Sequence, residues 1–118
     1  MTAYHEIFVN TDKSEQALVH DISAAAGATL RHISSINDAP SYRGDLGHSV
    51  IELEMAHEFE GVPEMPFEQY SALVTVRDLD ADKEREKETA QGIFERLQAI
   101  GGYDLLLVFD FQRLLAKS

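Results

Sequence analysis

The sequence predicts one α+β domain: a two-layer sandwich in which two helices cover one face of a mixed sheet of about five strands. Two stretches repeat apolar residues at helical spacing and end at glycine, and several others alternate or run apolar over strand lengths between clusters of turn formers. At 118 residues, 44% hydrophobic and 26% charged, the chain can bury one core but not two, so residues 1 to 118 form a single unit.

Residues 4 to 10 are rich in β-branched and aromatic side chains and stop at Asn10-Thr11-Asp12, which reads as a first strand. Asp12 with Glu15 three residues on forms a candidate capping box. Leu18, Ile22, Ala25 and Ala26 then mark one helical face up to Gly27, giving a helix over 13 to 26. Residues 28 to 36 carry Leu30, Ile33 and Ile36 among polar neighbours, as a weakly specified edge strand would. Turn formers crowd residues 37 to 47, which therefore read as a loop, with Tyr42 as its exposed aromatic and a contact residue.

From Ser49 to Glu60 the alternation is regular. Ile51, Leu53, Met55 and Phe59 point inward, while Glu52, Glu54, Glu58 and Glu60 project outward from one long strand. Residues 61 to 66 turn the chain into a second strand over 67 to 77, completing a hairpin. A helix follows over 80 to 100, starting at Asp80 or Asp82, with Ala90, Ile93, Phe94, Leu97 and Ile100 as its stripe and Gly101-Gly102 as its stop. Residues 103 to 111 are apolar enough for a strand buried on both faces, and residues 112 to 118 carry no assignable pattern. The order β-α-β-β-β-α-β, with both helices on one side, describes a relative of the ferredoxin-like architecture whose other sheet face is open.

Twenty-one Asp and Glu against ten Lys and Arg leave a net charge of -11. Such a chain is repelled by phosphate backbones and anionic lipids, so neither direct nucleic-acid binding nor membrane binding is expected. A basic protein, conversely, would be steered toward it. Between Arg43 and Arg77 there is no cation, but there are Asp45, Glu52, Glu54, Glu58, Glu60, Glu64 and Glu68. Such a stretch can serve as a solvated edge kept from aggregating, as an anionic contact surface, or as a carboxylate pair for acid-base or metal chemistry.

Motifs for catalysis are incomplete. His57-Glu58 lacks the second His of a zinc-protease helix, since position 61 is Gly. His48 and His57 fall on opposite faces of a regular strand, and Asp78, Asp80 and Asp82 open a calcium-loop pattern that Lys83 and Thr89 break. Neither a phosphate loop nor a nucleophile elbow is present. With no cysteine there is no thiolate ligand, nucleophile or disulfide. No cofactor or metal is expected. The opening residues lack the pattern of a secretory signal, which places the chain in the cytoplasm.

The opening Tyr4-His5-Glu6-Ile7-Phe8-Val9-Asn10-Thr11-Asp12, with the small-residue helix after it, and the closing Leu107-Val108-Phe109-Asp110-Phe111 resemble small orphan immunity-like proteins of bacterial toxin systems. The likeness covers about a third of the chain, and no inhibitory residue transfers with it. It implies a cytoplasmic binder of a cognate toxin. The leading expectation is thus an immunity or inhibitor protein that meets a basic partner through Tyr42, Asp45, Glu52, Glu54, Glu58 and Glu60. The alternative is a small enzyme or ligand-binding regulator with a pocket on the open sheet face and His57, Asp104 or Asp110 as titratable groups. Pairing of a strand edge with a second copy stays open.

Overall fold

The computed structural model describes residues 3–36 and 39–118. In chain order the elements are β1 (His5–Asn10), α1 (Glu15–Ala26), β2 (Arg31–Ile36), β3 (Ala39–Asp45), β4 (Ser49–Glu54), β5 (Ala72–Asp78), α2 (Lys83–Ile100), β6 (Asp104–Phe109) and β7 (Arg113–Lys117). The strands form one seven-stranded sheet in the order β2-β3-β4-β5-β1-β6-β7.

The sheet is larger than the five strands expected, and it is not mixed. Every neighbouring pair is antiparallel. Helical crossovers return the chain to a parallel strand, but α2 carries it from β5 over β1 to β6, and α1 carries it from β1 past three strands to β2. Parallel strands are therefore never adjacent. The two additional strands come from the stretch expected as a loop, which forms β3, and from the C-terminal tail, which forms β7. Asn37 and Asp38 of that expected loop lie outside the described residues.

Local signals explain the element ends. Ser14, not Asp12, caps α1, its hydroxyl accepting the Ala17 N–H, and Gly27 closes the helix at φ 72°. Asp82 caps α2 by accepting the Arg85 N–H. The long strand expected over 49 to 60 stops at Glu54, and the one expected from 67 begins only at Ala72, after a 3₁₀ turn at Phe67–Gln69. The hairpin is nonetheless real, with Ile51 opposite Val76 and Leu53 opposite Val74.

Period-two alternation divides the sheet into two faces. On one, Ile7, Val9, Ile51, Leu53, Val74, Val76, Leu105 and Leu107 meet Leu18, Ile22 and Ala25 of α1 and Ala90, Ile93, Phe94 and Leu97 of α2. Each fully buried aliphatic side chain here contributes roughly 1.5–3 kcal/mol. The opposite face carries Phe8, Leu73, Leu106 and Val108, and is covered over this patch by Phe67 and Tyr70 from the connection between β4 and β5. Phe8 and Phe67 stack at 4.1 Å between centroids.

Candidate functional site

The β4–β5 connection, residues 55 to 71, folds back across the sheet face that no helix covers. His57 fixes it. The Phe59 N–H donates to His57 Nδ1 at 3.0 Å, so Nδ1 is an acceptor and Nε2 carries the proton it donates to the Tyr70 carbonyl. Both ring nitrogens are thus committed, and the His57 ring stands edge-on to Phe8 at 5.0 Å. A turn between Val62 and Met65 closes the tip of the connection.

This arrangement leaves Phe59 and Val62 largely in solvent, 43% and 51% exposed. Phe59 packs its inner side on Phe111 at 4.6 Å and on His57 at 5.8 Å, so its orientation is held although its outer face is free. Glu58, Glu60 and Glu68 near it are exposed, as is Glu64 in the turn at the tip. Glu58, Glu60 and Glu68 line a shallow groove of about 290 Å³ together with Phe59 and Tyr70. An apolar centre with a charged, solvated rim is the anatomy of a protein contact patch.

The residues expected from the sequence divide into two groups. Glu52 and Glu54 do project from the helix-free face, on either side of Leu53. Glu52 lies 3.7 Å from the Arg77 guanidinium and opposite Arg43 on β3, so its charge is locally balanced. Burial pushes the Glu54 carboxyl up from its ordinary range, with the Glu52 charge adding to the rise. Glu58 and Glu60 lie outside β4, on the connection, where no cation neighbours them in sequence from Arg43 to Arg77.

Tyr42 and Asp45 are not part of that surface. Tyr42 pairs with Leu53 and therefore faces the helices, where it packs against the main core and donates its hydroxyl to Glu15 on α1. That bond, with burial, raises its pKa. The exposed-loop reading failed because the segment is a strand, and the period-two register turns Tyr42 inward. Asp45 is exposed but accepts the Gly47 N–H at 2.7 Å and lines a groove beside Arg31 and Arg43. It works as a turn former beside Arg31 and Arg43, outside the β4–β5 connection.

The titratable groups considered for catalysis do not converge. His57 lines the groove beside Phe59, Asp104 lies with Asn10, Thr11 and Tyr103 in another, and Asp110 sits in the β6–β7 turn. Among the described residues no three His, Asp or Glu side chains are placed to hold a metal ion, and no helix is long and apolar enough to cross a membrane.

Two buried polar centres were not legible in the sequence. Glu6 on β1 is 1% exposed on the helix-free face, and its Oε1 accepts the Phe111 N–H at 3.0 Å. Desolvation, opposed by that hydrogen bond and reinforced by Asp110 and Glu86, pushes its carboxyl up to about 8. Beneath α2, Glu86 is fully buried and accepts from the backbone N–H groups of His5 and Asp78 at 3.1 Å each, with His5 Nδ1 at 2.6 Å and Lys83 Nζ at 3.2 Å. Next to it the Arg85 guanidinium grips Asp78 at 2.6 and 2.9 Å and holds that carboxyl well below the usual carboxylate range. The alternation His5-Glu6-Ile7-Phe8 is the signal for them, since it puts one polar residue of β1 on each face.

Comparison with protein-family models, with curated proteins and with solved structures finds no match for this chain.

Proposed function

We propose that this chain is an acidic protein-binding module that meets a basic partner through the β4–β5 connection. Phe59 is its anchor, and Glu54, Glu58, Glu60, Glu64 and Glu68 form its charged surround. The observation carrying this reading is the exposed Phe59 ring, held from behind by Phe111 and His57, on a segment that has four glutamates and no Lys or Arg. A pre-oriented aromatic loses little conformational freedom on binding, and uncompensated carboxylates speed the approach of a positive surface.

Within that reading the module is of the immunity or inhibitor kind, acting in the cytoplasm on a toxin-like protein, as the resemblance of its first and last strands suggests. A ligand pocket on the helix-free face has less support, because Phe67, Tyr70 and Met65 already occupy the apolar part of that face. The fold is proposed as a ferredoxin-like relative. Its central strands β4-β5-β1-β6, with α1 and α2 as crossovers, follow a β-α-β-β-α-β path, to which the β2–β3 hairpin is inserted and β7 appended.

The test is capture of a partner from the native host by the unaltered chain and by a variant carrying Phe59→Ala, Glu58→Lys and Glu60→Lys. A basic protein retained only by the unaltered chain, with an association rate that falls as salt rises, is the expected result. Equal capture by both chains, or a salt-independent association rate, overturns the proposal. A toxin-like gene beside this one would identify the partner class.

A further inference from the structure

The few basic residues of this acidic chain are unevenly placed. Lys83 and Lys87 lie one helical turn apart on α2, and with Arg113 of β7 they surround a cleft of about 210 Å³ between the start of that helix and the β6–β7 edge. Phe109 and Leu115 supply its apolar wall, and Glu84 is the acid on its rim. Lys83 is partly committed, to Glu86 and to the Ala3 carbonyl. Lys87 and Arg113 have no ion-pair partner among the described residues.

A buried histidine completes the cleft. His5 is 3% exposed, and its ring is fixed by the 2.6 Å contact between Nδ1 and Glu86 Oε1 and by Phe109 at 4.7 Å. Its other nitrogen, Nε2, has no hydrogen-bond partner among the described residues. The His5 ring is itself one wall of the cleft. A carboxylate behind one nitrogen of a histidine fixes the ring and leaves the other nitrogen for a ligand.

We propose that this cleft binds a small organic anion. Its charged group lies among Lys87, Arg113 and the His5 ring, and its apolar portion lies against Phe109 and Leu115. The cleft falls below the roughly 300–1,000 Å³ of pockets for drug-sized ligands, which limits the ligand to a single ring or short chain. Carboxylates and phosphate monoesters share the required chemistry. The site lies on the helix side of the sheet, opposite the Phe59 surface, so its occupancy can be tested without the protein partner.

The experiment is a titration of the full chain, followed by the ¹⁵N resonances of the His5 ring and of backbone amides, with benzoate, phenyl phosphate and neutral benzyl alcohol. A saturable shift at His5 and around Lys87 and Arg113 is expected with an anion and not with the alcohol. The tighter of the two anions assigns the ligand as carboxylate or phosphate ester. Lys87→Ala combined with Arg113→Ala, both at exposed positions, should weaken binding roughly tenfold while the amide spectrum stays dispersed. Absence of a saturable shift with either anion, equal binding of the alcohol, or unchanged affinity in the double variant overturns the proposal.

Discussion

The Glu6 carboxyl lies beneath the β6–β7 turn and accepts the backbone N–H of Phe111, a residue held with Asp110 at positive φ. The folded-state pKa of Glu6, about 8, stands above its ordinary value of 4.5. The group is thus neutral when buried, and its contribution to stability is complete below about pH 4.5 and is lost as pH rises through about 8. Glu6→Gln removes this dependence. At pH 9 the variant should be more stable than the parent by about 2–4 kcal/mol, whereas near pH 4 the two should agree. Urea midpoints measured across this range check it, and parallel curves would exclude a buried neutral Glu6. Asp110→Asn should also lower the Glu6 pKa, because the Asp110 charge contributes to its elevation.

Glu86 joins three elements through one carboxylate, accepting from β1, from the end of β5 and from its own helix. Glu86→Ala leaves two backbone donors and the His5 ring unpartnered in a site with no solvent access. The expected loss is about 3–5 kcal/mol. Glu86→Gln keeps an acceptor oxygen and should lose less. Chemical unfolding of the two variants and the parent separates these outcomes, and a Glu86→Gln variant as stable as the parent would show that the carboxylate charge is irrelevant.

Much of the architecture is legible because apolar spacing survives folding unchanged. The α2 stripe from Ala90 to Leu97 and the alternation of Ile51 and Leu53 with Glu52 and Glu54 identify which face is buried before any coordinate is known. What misleads is local chemistry overridden by tertiary pairing. Pro40 and Gly44 advertise a turn, yet β3 is held between β2 and β4, and a side chain at Gly44 would stand 2.9 Å from Leu30 Cδ2. Close packing, not turn formation, explains that glycine. The tail strand β7 escapes for a similar reason, since Arg113 to Lys117 is half exposed and acquires its order from β6. Regular alternation puts Phe59 on the inward side of a long strand, but β4 ends at Glu54 and the chain leaves the sheet there, which turns Phe59 outward.

Tyr42 supplies a control for the contact surface. Its hydroxyl ties β3 to Glu15 at the start of α1, on the sheet face away from Phe59. Tyr42→Phe should reduce stability by roughly 0.5–1.5 kcal/mol, the range for one hydrogen bond. It should leave association with the basic partner unchanged. Parallel denaturation and binding measurements test this, and weakened binding at preserved stability would return Tyr42 to the interface.

Gly61 separates the integrity of the β4–β5 connection from the chemistry of its surface. A Cβ at this position would lie 1.7 Å from the Met65 carbonyl oxygen and 2.8 Å from the Phe67 nitrogen, both backbone atoms that cannot rotate away. Gly61→Ala must therefore move the tip of the connection and disturb the stacking of Phe67 on Phe8. The helix-side core is built from other residues and should persist. The expected result is a loss of about 1–3 kcal/mol, amide exchange that quickens in residues 55 to 71 but not in α1 or α2, and partner binding as weak as in Phe59→Ala. Phe59→Ala alone removes the anchor without the clash, so it should abolish binding with little change in exchange across the connection. If Gly61→Ala instead binds as well as the parent while its connection exchanges freely, the preformed shape of this segment is not what recognises the partner.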